Sequence, residues 1–139
     1  ITDKTNKINK IIMKKINSIL IRSFHCANLI LIVFYLYPGS ILGHVLYNNS
    51  SIQPQITRDF LISSNHFYVF IFLSTIGIIA YKSTKKIDLL IRYLLTLSIL
   101  LEFFHILVPN RSFELSDLFG NIAGVIVIII IYKIKKKYE

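Results

Sequence analysis

Between residues 102 and 124 the chain reads E-F-F-H-I-L-V-P-N-R-S-F-E-L-S-D-L-F-G-N-I-A-G. Its polar groups include the carboxylates of Glu102 and Asp117, the imidazole of His105, the guanidinium of Arg111 and the amide of Asn121. Such groups can pass protons, and a guanidinium can pair with a carboxylate or phosphate. Glu102 and His105 stand at i and i+3, on one face of a helix, and Ser98 extends that stripe by a turn. Asp117, Asn121 and Gly124 follow at i, i+4 and i+7, so the next segment has a face that is polar and then small. A further histidine, His66, opens an earlier apolar run. Glu102, His105 and His66 are the candidates for acid–base chemistry. Arg111, Asp117, Asn121 and Glu102 are the candidates for ligand binding, with Arg111 within reach of Glu102 or Asp117.

Each residue also has a plainer reading. Asp117, beside Ser116, stands where a helix N-cap is expected. Asn121 can bridge two helices, His66 can lie at an interface, and Arg111 can meet a lipid headgroup. A single Glu-x-x-His, even with His66 and Asp117 as further N/O ligands, is a weak metal signature, and neither metal nor cofactor is expected. The single cysteine, Cys26, rules out an intramolecular disulfide and a multi-cysteine metal site, and reads as a small helix residue.

The elements that must position these groups are apolar. Of 139 residues, 54% are hydrophobic and 13% aromatic, and the mean hydropathy is +0.62. A soluble domain has too little polar surface to cover so much Ile, Leu and Phe. Four apolar runs, at about 19–37, 66–81, 89–108 and 118–132, approach the length that a helix needs to cross about 30 Å of hydrocarbon. The β-branched run 125–131 would favour a strand in water, but in lipid only a helix satisfies its backbone. The fold expected is all-α, an integral membrane bundle of four transmembrane helices.

The net charge of +9 does not point to nucleic acid. Its lysines flank apolar runs: Lys14 and Lys15 before the first, Lys82, Lys85 and Lys86 between the second and third, Lys133, Lys135, Lys136 and Lys137 after the last. Such alternation puts both termini on the cytoplasmic side and the Glu102–Asn121 region near the outer boundary. Membrane lipids are the expected partners. Residues 1–18 form a basic polar segment, of which 1–12 are expected to have little fixed structure or to form a helical extension of the first span. Met13-Lys14-Lys15 looks like an ordinary start, so residues 1–12 are expected to be an upstream extension. Residues 19–132 form the membrane domain and 133–139 a basic cytoplasmic tail. In the long outer loop, the piece 56–64 is expected as a short interfacial helix.

The pattern E-x-x-[QH]-x-x-x-P-x-R-x-x-x-x-x-D-x-x-x-N-x-x-G, with H-F-x-x-F opening the earlier span, resembles the VanZ-like family of small bacterial membrane proteins. Glu102, Pro109, Arg111, Asp117, Asn121 and Gly124 fit it in register, as do His66 and Phe67. The family often has Gln at the position of His105, and an Asp-Lys pair where this chain has Ile62-Ser63. The resemblance implies a multi-pass protein of the bacterial plasma membrane, a role in the cell envelope, and a link to tolerance of glycopeptides, teicoplanin in particular. It supplies no mechanism. The reading preferred here is a binding or accessory role toward a lipid-linked or peptidoglycan-related ligand. The alternative is an intramembrane enzyme with Glu102 and His105 as acid and base. Proton-coupled transport and a purely structural polar cluster are further alternatives.

Overall fold

The computed structural model describes residues 2–138. They form five helices and no strand: α1 (Thr2–Leu36), α2 (Ile41–Tyr47), α3 (Ser64–Tyr81), α4 (Ile87–Phe104) and α5 (Leu115–Tyr138). The run 125–131 lies within α5, as the backbone argument requires. Pro38 follows α1, and Gly39 takes a φ of 89° that a side chain rarely allows. The α4–α5 connection turns at Pro109 and Asn110, where Asn110 is left-handed with a φ of 60°.

The four long helices run up and down. His25 of α1 bonds Tyr81, the last residue of α3, while Tyr35 near the other end of α1 bonds His66 at the start of α3. Glu102 near the end of α4 accepts from the Glu114 amide just before α5. The helix α3 is central, packed on α5, α1 and α4. The core is built from Phe24, Phe70, Leu73, Leu94, Leu101 and Val125. Since His25 is level with the end of α3, the part of α1 before about residue 22 projects beyond the bundle, by roughly 30 Å at 1.5 Å per residue. Residues 2–18 thus continue the helix, and Ile8, Ile11 and Ile16 on them are exposed.

Among the described residues three helical stretches, not four, are long and apolar enough to cross a membrane by length and composition: Thr5–Leu36, Ser64–Tyr81 and Leu115–Tyr138. The helix α4 is as long as α3, at 18 residues, but it contains Asp88, Arg92 and Glu102. The longer α1 and α5 keep most of their charges at one end, whereas α4 has no stretch of membrane-spanning length that avoids its three.

The short helix of the long loop also differs from expectation. It is α2, not 56–64. Ser40 caps α2 through its hydroxyl, which accepts from the Gly43 amide at 2.9 Å, and the left-handed Asn48 ends it. Residues 56–63 are instead tied by side chains. Asp59 accepts from the Ser64 amide at 2.7 Å, and Asn65 bonds the Ile56 amide and the Pro54 carbonyl. Those bonds take the place of a helical ladder. The segment 39–52 is strapped to itself: the Ser40 amide donates to the Ser50 carbonyl at 2.8 Å, and a Cβ at Gly43 would collide with the Ile52 carbonyl oxygen.

Candidate functional site

The helix α5 approaches α3 closely because two glycines face it. A Cβ at Gly124 would lie 2.6 Å from the Phe67 carbonyl oxygen, and one at Gly120 would lie 2.7 Å from that of Ser63. Small residues let backbones approach in this way. The approach brings Asp117 and Asn121 of α5 onto His66 of α3. His66 Nε2 is 3.2 Å from Asp117 Oδ2, and His66 Nδ1 is 3.1 Å from Asn121 Oδ1. Asn121 donates through Nδ2 to the Ser98 carbonyl of α4 at 3.2 Å, which fixes the orientation of its amide.

The helix α4 adds Glu102 and His105 from one face. Glu102 is fully buried and His105 is 1% exposed. Glu102 Oε1 accepts from the Glu114 amide at 3.0 Å. Its Oε2 lies 3.3 Å from His105 Nδ1 and 3.8 Å from His66 Nδ1, close enough for ion pairing but without a hydrogen bond. His105 Nε2 is buried and also has no hydrogen-bond partner. Unmet buried polar atoms are uncommon, and two here belong to adjacent side chains.

The sequence reading missed Tyr35. Its hydroxyl donates to Asn121 Oδ1 at 2.6 Å and lies 3.0 Å from His66 Nδ1, and its ring stacks on His105 with centroids 5.4 Å apart. The available signal was a phenol inside a membrane-length apolar run, shortly before Pro38-Gly39.

These contacts constrain the protons. Tyr35 spends its only hydrogen on Asn121, so toward His66 it can only accept. Asn121 Oδ1 also accepts, so His66 Nδ1 carries a proton. At the other side of the ring an ionised Asp117 accepts too. The geometry therefore calls for a second proton in the His66–Asp117 contact, on the ring or on the carboxyl. One proton is thus shared between a histidine and an acid.

Arg111 is elsewhere. Its guanidinium reaches back to the end of α1 and donates to the carbonyls of Phe34 at 3.3 Å and Tyr37 at 3.5 Å, and to Gln53 Oε1 at 3.3 Å. It pairs with neither Glu102 nor Asp117, in contrast to the expectation. The left-handed turn at Asn110 precedes it, and the last carbonyls of α1 need donors. Burial draws the Arg111 guanidinium below its ordinary pKa, and the negative field of the Asp117 and Glu102 carboxylates pushes the other way. Asp117 also departs from its expected place: α5 begins at Leu115, so Asp117 sits inside the first turn and turns its carboxylate to His66.

The structure thus brings His66, Glu102, His105, Asp117 and Asn121 together and sets Arg111 beside them, across Tyr35 and the end of α1. Among the described residues one trio could ligate a metal: His66, Glu102 and Asp117, with potential ligand atoms within 4.8 Å of one another. Both nitrogens of His66 are already engaged by protein groups, which an ion would have to displace.

The cluster adjoins a cavity of about 850 Å³ between α1 and α3. His66, His105, Tyr35 and Arg111 line one end of it, and apolar side chains such as Leu31, Val69 and Phe72 line its length. Cys26, exposed on α1, lies on the same wall. A smaller polar recess of about 290 Å³, lined by Ser50, Ser51 and Asn110, lies on the other side of Arg111, and Ser40, Gln53 and Arg111 border both. Comparison of the chain with family models, with curated proteins and with solved structures finds no match in any of the three.

Proposed function

We propose that the chain is a four-span, VanZ-like protein of the bacterial cell envelope that binds a membrane-borne ligand at the outer boundary through the His66–Glu102–Asp117 cluster. The observation that carries this reading is the meeting of polar groups from α1, α3, α4 and α5 beside one cavity. Buried ionisable groups in membrane helices are costly to keep and mark functional sites by default. A cluster that served only as glue would satisfy its own members, yet His105 Nε2 is left without a hydrogen bond and Glu102 Oε2 meets only the two imidazoles, at 3.3 and 3.8 Å. The motif from Glu102 to Gly124 supports the family and, with it, a link to glycopeptide tolerance. In the four-span reading α4 crosses with Glu102 turned inward.

The test is expression in a teicoplanin-sensitive bacterium, with the membrane yield of each variant measured in parallel. The wild-type chain is expected to raise tolerance, and Glu102→Gln and Asp117→Asn to remove the gain at equal yield. No gain from wild type would end the glycopeptide link. Variants equal to wild type would remove the cluster from function.

A second reading, an intramembrane enzyme, is favoured by the proton held between His66 and Asp117 with Glu102 next to it. Here Glu102, His105 and His66 act as acid and base on a lipid-linked substrate. Incubation of the purified protein with labelled envelope lipids produces a new lipid species only under this second reading.

A further inference from the structure

The cavity and the recess meet at one cation, and the two differ in character. The larger space is apolar along α1 and α3, from Cys26 and Ile76 to Tyr35 and His66. The smaller is walled by serines, an asparagine and a glutamine. Arg111 stands at the junction, half-buried, and among the described residues no carboxylate comes within ion-pairing distance of it. Its present acceptors are neutral, two carbonyls and an amide at 3.3–3.5 Å. These are long for bonds from a charged donor, which close to about 2.7–2.9 Å on a carboxylate or phosphate. The same end of the cavity holds His105, whose buried Nε2 has no hydrogen-bond partner. Hydrocarbon alone would match the walls of the groove and leave these two groups unanswered.

We propose that the α1–α3 groove holds one chain of an anionic phospholipid, with the phosphate on Arg111 and the rest of the headgroup in the recess beside Ser50, Ser51 and Asn110. This rests on the binding role proposed above and names the chemical class of the ligand. The order of features along the protein, apolar groove, cation, polar recess, repeats the order of tail, phosphate and polar headgroup in such a lipid. The cavity size is within the range of sites that enclose most of a small ligand, about 300–1,000 Å³. The groove is open on the side of Ile30 and Phe72, which are 52% and 62% exposed. A lipid can therefore join it from the bilayer without unpacking the core.

The experiment uses the full chain, purified in detergent, with phosphatidylglycerol as the probe and native mass spectrometry as the readout. Competitors are diacylglycerol of the same acyl chains, which lacks the phosphate, and glycerol 3-phosphate, which lacks the chains. Phosphatidylglycerol is expected to bind at least about tenfold tighter than either competitor. Ile30→Trp, which fills the groove from its exposed rim, is expected to weaken binding by a similar factor. Arg111→Gln is expected to bring phosphatidylglycerol down to the level of diacylglycerol. Equal competition by diacylglycerol would overturn the phosphate assignment. Equal competition by glycerol 3-phosphate, or unchanged binding by Ile30→Trp, would overturn the groove. Arg111 also holds the end of α1, so if Arg111→Gln fails to fold, the wild-type competition and Ile30→Trp decide. Loss of tolerance in Glu102→Gln with no lipid preference in wild type would leave the binding role standing and remove the phospholipid. A lipid preference with no effect of Glu102→Gln on tolerance would do the reverse.

Discussion

The helix α3 has two flanks, and they are built on opposite plans. Toward α5 it meets glycines, and the backbones come so close that no Cβ fits at Gly120 or Gly124 without displacing a carbonyl. Toward α1, beyond the contacts of Phe24, Leu31 and Tyr35 with the core, it leaves a cavity rimmed by exposed Ile30 and Phe72. The closed flank fixes the distances on which the polar cluster depends: His66 is on one helix, Asp117 and Asn121 are on the other, and a shift of one ångström would break both contacts. The open flank fixes nothing and leaves room. The close-packed seam and the open space lie on opposite flanks of one helix.

Substitutions on the two flanks should therefore differ in cost, and their ranking tests the comparison. The largest effect is expected from Gly124→Val, whose Cβ alone would stand 2.6 Å from the Phe67 carbonyl oxygen and 2.9 Å from Phe70 Cβ. Overpacking of this kind costs about 1–3 kcal/mol and here acts on a seam that cannot yield at one point only. The thermal midpoint in detergent should fall more than for any variant below, and a midpoint like wild type would mean that the seam is not rigid. Asn121→Leu comes next. It removes the acceptor of Tyr35 and the donor to the Ser98 carbonyl, and stranded buried partners cost about 1–3 kcal/mol. Unfolding that matches wild type would remove Asn121 as the hub. Tyr35→Phe keeps the ring on His105 and loses only the hydroxyl, for about 0.5–1.5 kcal/mol. An equal loss for Tyr35→Phe and Asn121→Leu would show that the phenol carries the network. The smallest effect belongs to the open flank: Phe72→Ala should change stability by no more than about 0.5 kcal/mol, because its ring is mostly uncovered. A large loss there would erase the contrast between the flanks.

Part of this arrangement could be read from the chain. The spacing of Glu102 with His105, and of Asp117 with Asn121 and Gly124, put those residues on common faces, and the cost of a buried acid turned Glu102 inward; it is fully buried. The rest depended on partners that spacing cannot name. Arg111 was expected near a carboxylate, but it found the last carbonyls of α1, more than seventy positions earlier, and every residue offers a carbonyl. Tyr35 was overlooked because an aromatic residue in an apolar run is ordinary. Asp117 was placed at the N-cap because α5 starts three residues earlier than its apolar run. The helix α4 was counted with the other spans on length, while Asp88, Arg92 and Glu102 give it a different composition.

The strapped segment 39–52 roofs the larger cavity, for Ser40, Ile41 and Leu42 line it from above. With that segment pinned by its own hydrogen bonds, and the gap between Ile30 and Phe72 uncovered, the proposed lipid would enter the groove sideways, within the plane of a bilayer. Its filling would then follow the mole fraction of the lipid in the leaflet. Dilution of the surrounding water would leave it unchanged, and dilution with a second lipid would empty it.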